Sequence, residues 1–147
     1  MNEMTNDRAP LRVLVYSSHA QTRWQIIRSL GSRPAAELPN IDYVEAATGP
    51  VVIGAVDAGD IDLAILDGEA TPEGGIGVAK RLRDEVVLCP PIVVLIGRPD
   101  DAWLANWSRA DAAVLHPIDP IRLAETALAV LRMRYTRVGD RADRVVG

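Results

Sequence analysis

The side chains able to do chemistry stand just after short apolar runs. Ser17, Ser18 and His19 follow Val13-Leu14-Val15-Tyr16, Asp67 closes the run from Ile61 to Leu66, Ile96 and Gly97 end the run begun at Ile92, and His116 follows Ala112 to Leu115. Hydroxyl, carboxylate and imidazole are the parts of nucleophilic or acid–base catalysis, yet a serine nucleophile needs a base that is itself oriented. The spacing around Ser17 and Ser18 supplies none, so capping the first turn of a following helix is the expected role of Ser17, Ser18 and His19. Gly74, Gly75 and Gly77 match neither the phosphate-cradling loop nor the dinucleotide fingerprint, and read as turn and helix-entry residues. The single cysteine, Cys89, has no internal partner, which excludes a disulfide framework and a cysteine-based metal site within the chain.

The elements that must position these groups follow from the apolar pattern. The four runs above are short, aliphatic and bounded by polar or Pro/Gly residues, as expected of strands buried on both faces, and Tyr43 to Ala47 is a weaker fifth candidate. Between them lie helical segments. His19 to Leu30 puts Trp24, Ile27 and Leu30 on one face and stops at Gly31; Thr48-Gly49-Pro50 opens a second helix that Gly59 closes. Ile76, Ala79, Leu82 and Val86 stripe a third, Asp100 and Asp101 begin a short fourth carrying Trp103 and Trp107, and Asp119 caps a fifth lined by Leu123, Ala127, Val130 and Leu131. Five strand–helix repeats predict an α/β fold: a doubly wound, five-stranded parallel sheet with helices on both faces. In such a sheet the ligand site lies at the carboxyl ends of the strands, where the groups named above stand.

Composition narrows the function class. The chain has 147 residues, one domain's worth, with 48% hydrophobic and 24% charged residues, a globular balance. A net charge of −4 gives no electrostatic case for direct nucleic-acid binding. No apolar run is long enough for a membrane span and the polar start has no signal-peptide core, so the expected location is cytoplasmic. Residues 1–10 and 134–147 are expected to be loose polar tails around a domain at 11–133; the tail arginines are interleaved with Asp140 and Asp143, which suggests a solvated end.

The string from Asp62 to Asp67, Pro72 and Gly75 after it, Pro91 to Leu95, and His116-Pro117-Ile118-Asp119-Pro120 resemble the receiver domain of bacterial response regulators, over about Leu11 to Arg132. Leu66 to Pro72 and Gly97 to Asp101 are similar to a subgroup of atypical, stand-alone receivers. The resemblance implies the flavodoxin-like strand order 2-1-3-4-5, and it implies a site. Asp67 matches the phosphoacceptor. Ser17 and Ser18 stand where two acids help hold Mg²⁺, Ile96 where a Ser or Thr contacts the phosphoryl group, His116 where a lysine does, and Ala113 where an aromatic switch residue sits. Mg²⁺ is normally held through carboxylates, so metal binding is disfavoured and no cofactor is expected, although Glu69 could offer a substitute acid. The matching Lys–Pro bond of the family implies a cis His116–Pro117 bond.

The expected function is that of a pseudo-receiver: a non-enzymatic signalling module that binds a protein partner, with output not gated by ordinary aspartyl phosphorylation. Asp67 would then be a relic, an exposed carboxylate at a strand end capping a loop N–H, or a member of an ion pair or switch, or still a phosphoacceptor. His116 is either a plain loop residue or a partner for Asp67. Trp103 and Trp107, four residues apart, either pack inward or present an anchor. The resemblance places Trp103, Trp107, Ala113 and Arg122 on or near the fourth-helix, fifth-strand, fifth-helix face that the family uses for dimers and partners. A DNA-binding output unit is not expected after the fifth helix. Two rivals stay open: a conventional phosphoacceptor regulator in a two-component phosphorelay, and a small-ligand binder on a flavodoxin-like sheet.

Overall fold

Residues 9–146 are described by the computed structural model of the chain, with side chains described as far as Arg134. The strands are β1 (Leu11–Tyr16), β2 (Ile41–Ala46), β3 (Leu63–Asp67), β4 (Ile92–Ile96) and β5 (Ala112–Leu115). The helices are α1 (Ala20–Leu30), α2 (Gly49–Asp57), α3 (Gly75–Glu85), α4 (Ala102–Trp107) and α5 (Pro120–Val146), with one 3-10 turn at Pro99–Asp101 ahead of α4. All pairings are parallel and the order is β2-β1-β3-β4-β5, the doubly wound arrangement expected.

Strand periodicity splits the core in two. Val13, Val15, Leu63, Ile65, Val93, Leu95 and Val114 project to the side covered by α1 and α5, while Leu14, Tyr16, Ala64, Leu66, Ile92, Val94 and Ile96 project to the side of α2, α3 and α4. The register sets Tyr16 beside Leu66, Asp67 beside Leu95 and Ile96 beside Leu115, so the four strand ends share one edge. Because β1 lies between β2 and β3, that edge includes a topological switch point.

Several element details differ from expectation. In α1 the inward residues are Ile26 and Leu30, with Ile27 partly buried, whereas Trp24 is 51% exposed. A helix turns 100° per residue, and Trp24 falls off the face that Ile26 and Leu30 share. The buried stripe of α3 is Gly75, Val78, Ala79 and Leu82, which leaves Ile76 and Val86 at its margin. Ser17 and Ser18 do not cap α1: His19 holds the N-cap position, without a side-chain bond. Asp119 does cap α5, its Oδ1 accepting from the Ile121 and Arg122 N–H groups. Gly31 ends α1 at φ 71°, a left-handed value that a Cβ would strain. Residues 134–146, expected to be loose, continue α5 in a stretch free of proline; residues 1–8 and Gly147 lie outside the described residues.

Candidate functional site

Asp67 ends β3 with a relative exposure of 1%, so it is not the exposed carboxylate a relic would present. A carboxylate taken out of water must be compensated by donors. Three are in place. The Ser17 hydroxyl donates to Oδ2 at 2.8 Å, the Glu69 backbone N–H donates to Oδ1 at 2.9 Å, and His116 Nε2 lies 2.9 Å from Oδ1. Facing an ionised carboxylate, which only accepts, Nε2 would be the nitrogen that carries the proton. His116 therefore pairs with Asp67, in the place where the resemblance puts a lysine. The His116–Pro117 bond is cis, as the resemblance implied, and Thr71–Pro72 is cis as well.

The β1–α1 turn supplies the second layer. Ser17 is fully buried and its Oγ also accepts from the His19 N–H at 3.1 Å. Ser18 Oγ accepts from the Thr71 N–H at 3.0 Å, tying the first turn to the loop after β3. Arg23, which the sequence reading passed over, donates to the Ser17 carbonyl at 2.7 Å and to Glu45 at 3.0 Å, linking this turn to the end of β2. A basic residue one turn past Ser17 and Ser18 was the available signal. Tyr16, also missed, sends its hydroxyl to the Glu73 carbonyl; burial, with the Glu73 and Asp67 charges adding to it, holds its phenol above the ordinary value. Nothing in the spacing of Tyr16 and Glu73 announced that contact.

Glu69 serves through its backbone. Its carboxylate lies over Gly97, where a Cβ would come within 2.8 Å of Oε1, a contact that the exposed Glu69 side chain can relieve by swinging away. Ile96 is buried in the α2–α3–α4 core and offers the site only its carbonyl, which accepts from the His116 N–H at 2.8 Å. Gly68 keeps the ends of β3 and β4 close: its N–H donates to the Leu95 carbonyl at 2.8 Å, and a Cβ there would sit 2.4 Å from that oxygen.

The resemblance implies a Mg²⁺ ion at these strand ends, where the donors are as follows. Mg²⁺ wants hard, preferably anionic oxygens. Here Ser17 spends its proton on Asp67, Ser18 accepts from a backbone N–H, and both are neutral. Among the described residues no group of three or more His, Cys, Asp or Glu side chains is gathered.

The residues expected at a partner surface are all exposed. Trp103 and Trp107 are 65% and 52% accessible, which decides between inward packing and display. Trp107 leans towards α3, with Lys80 Nζ 5.5 Å from its ring centroid. α4 has only six residues, and beside it Ala113 and Leu115 of the edge strand β5 stay exposed, as does Arg122 on α5. On the other side of the site, Trp24, Gln25, Arg28, Ser29, Ile118 and Pro120 line a groove of about 280 Å³. No helix among the described residues is long and apolar enough to cross a membrane.

No family profile matches the chain. A response regulatory protein of Mycobacterium tuberculosis, known from two strains and named as uncharacterized, is 60% identical over 129 residues, which is 88% of this chain and 97% of that protein. Among solved structures, the signal receiver domain of the response regulator NarL from Mycobacterium tuberculosis superposes with a TM-score of 0.71 at 20% identity, covering 85% of this chain and 98% of that one. The Vibrio cholerae chemotaxis protein CheY4 superposes with a TM-score of 0.65 at 20% identity, covering 83% and 99%. At such identities the superpositions speak for the fold.

Proposed function

The chain belongs to the receiver family of response regulators, and from that premise we propose that it works as a protein-binding module whose output is not gated by Mg²⁺-dependent aspartyl phosphorylation. The observation that carries this reading is the occupied state of Asp67: buried, with donors of the chain itself on both oxygens. Phosphoryl transfer is catalysed almost entirely by positioning and charge neutralisation. An aspartate closed off by Ser17 and His116 offers a poor line of attack, and neutral Ser17 and Ser18 give a metal little to bind. Ile96 has no hydroxyl for a phosphoryl oxygen. The conventional phosphoacceptor reading rests on Asp67 alone.

The partner surface in this proposal is the α4–β5–α5 face, with Trp103 as anchor and Ala113, Leu115 and Arg122 around it. Large aromatics concentrate binding energy when a partner desolvates them. Trp103→Ala should weaken capture of the physiological partner from cell extract without changing the melting temperature, because the side chain is 65% exposed.

Metal titration followed by backbone NMR tests the gating claim. Millimolar Mg²⁺ should leave the resonances of residues 17, 18, 67 and 69 in place. Ser17→Asp with Ser18→Asp should introduce a saturable response and, without metal, should be less stable than the wild type because acids then crowd Asp67. A saturable wild-type response at those residues would contradict the proposal.

A further inference from the structure

We propose that β5 is an open sheet edge to which a protein partner adds an extended segment as a further strand. The proposal rests on the protein-binding reading above and names how the partner is held. The sheet has two edges, β2 and β5, and the chain treats them differently. A strand bonded on one side only leaves a row of free N–H and C=O groups, which natural sheets guard with charge, proline or a covering loop. β2 is guarded. Asp42 and Glu45 are exposed along it, Arg23 pairs with Glu45, and the Ile41 N–H is taken by the Ser32 carbonyl at 2.8 Å. β5 has none of this. Ala112-Ala113-Val114-Leu115 carries neither charge nor proline, it pairs with β4 alone, and among the described residues no loop or side-chain group bonds to it. The polar residues that could guard its ends are turned elsewhere. Asp111 accepts from the Ile92 N–H at 2.7 Å and pairs with Arg83, Arg109 pairs with Asp84, and His116 faces Asp67.

The edge itself selects the occupant. A row of backbone donors and acceptors is matched only by another extended backbone, the strand-addition mode of recognition. Side chains set what that backbone carries. Ala113 and Leu115 stand beside Val94 and Ile96, on the side of the sheet where α4 packs, and both stay exposed next to that six-residue helix. Trp103 is exposed on α4 itself. Side chains of a strand alternate between the two faces. Apolar residues at every second position of the partner segment therefore lie on the side of Ala113, Leu115 and Trp103. With no charge on the strand, main-chain bonding and apolar contact do the recognising. Four residues offer few main-chain bonds, so the complex is weak and reversible.

Short linear peptides selected from a random display library against the full chain, followed by amide hydrogen exchange, test this. The selected sequences should alternate apolar and polar residues, and a synthetic peptide of that sequence should slow exchange within residues 112–115 while leaving β2 unchanged. Of two versions N-methylated at alternate residues, one should lose binding and the other keep it, because only every second N–H of an added strand faces the edge. Ala113→Lys and Leu115→Lys, both at exposed positions, should weaken binding by about tenfold or more and keep the wild-type circular dichroism spectrum. Val51→Lys, on the exposed side of α2, should leave binding unchanged. A library that yields no binder would overturn the inference. So would binders that protect α4 but not residues 112–115, a result that keeps Trp103 as a partner anchor and sinks strand addition alone. Protection of residues 112–115 that grows with protein concentration in the absence of peptide would overturn it as well, by giving the edge to a second copy.

Discussion

Burying the Asp67 carboxylate costs free energy that its three donors must return. A hydrogen bond to a charged group contributes roughly 1.5–3 kcal/mol, and removing its partner leaves the remaining charge undersatisfied. His116 is about one-fifth exposed, so water recovers part of the loss. His116→Ala should therefore destabilise the fold by about 1–2 kcal/mol. A double-mutant cycle with Asp67→Asn, read by urea unfolding, should give a coupling energy of about 1 kcal/mol, since the residues are in contact. Additive effects would mean that the pair contributes nothing. The positions of Asp67 and His116 were legible in the sequence because strand ends were legible. Ser17 as a donor to Asp67 was not, since a serine after a strand is far more often a cap, and only the register of β1 against β3 brings the two together. Tyr43 gives a residue-level test with a sign. Burial pushes its phenol from 10.0 to about 12, while the hydroxyl donates to the Gly31 carbonyl. A group whose folded pKa is raised stabilises fully below the unfolded pKa, and that stabilisation is lost as pH rises through the folded one. Stability should thus fall between about pH 10 and pH 12, and Tyr43→Phe should flatten that fall in alkaline unfolding curves.

Helix α1 shows how an element is tuned and where periodicity misleads. Three apolar residues, Trp24, Ile27 and Leu30, are evenly spaced, and their spacing alone suggested the core face. The structure instead buries Ile26 and Leu30 and lays Arg28 over the Trp24 ring, 5.0 Å from its centroid. An amphipathic indole tolerates exposure that isoleucine does not, which a hydrophobic count cannot register. Ile26→Ala should cost about 2–5 kcal/mol through a core cavity. Trp24→Ala should cost under about 1 kcal/mol, the value of an exposed cation–π contact. Equal costs by chemical denaturation would restore the sequence-derived face. Other elements were easier to read: β4 and β5 have the predicted bounds, and the buried set of α5 is the predicted one, because long aliphatic runs and a capped, evenly striped helix have few alternative solutions. The exposed side of β5 was not readable, since it depends on α4 ending after six residues beside it.

At the scale of the whole molecule, the chain keeps the receiver frame and changes what stands on its rim. Five strand ends still converge on one edge, but charge there is settled internally, by Ser17, His116 and the Glu69 N–H on Asp67, and by Arg23 holding the first turn to Glu45. In the proposed reading output comes from the surface, with Trp103 and its exposed neighbours facing a protein partner. Asp67, in that same proposed reading, does not accept phosphate under the ordinary conditions of the family. The most direct test is intact-mass analysis of the full chain after incubation with acetyl phosphate and Mg²⁺, beside a receiver that keeps the acidic pair and the lysine. The wild type should remain a single unmodified species while the reference is labelled. A species heavier by one phosphoryl group, absent from Asp67→Ala, would contradict it and establish Asp67 as a working phosphoacceptor.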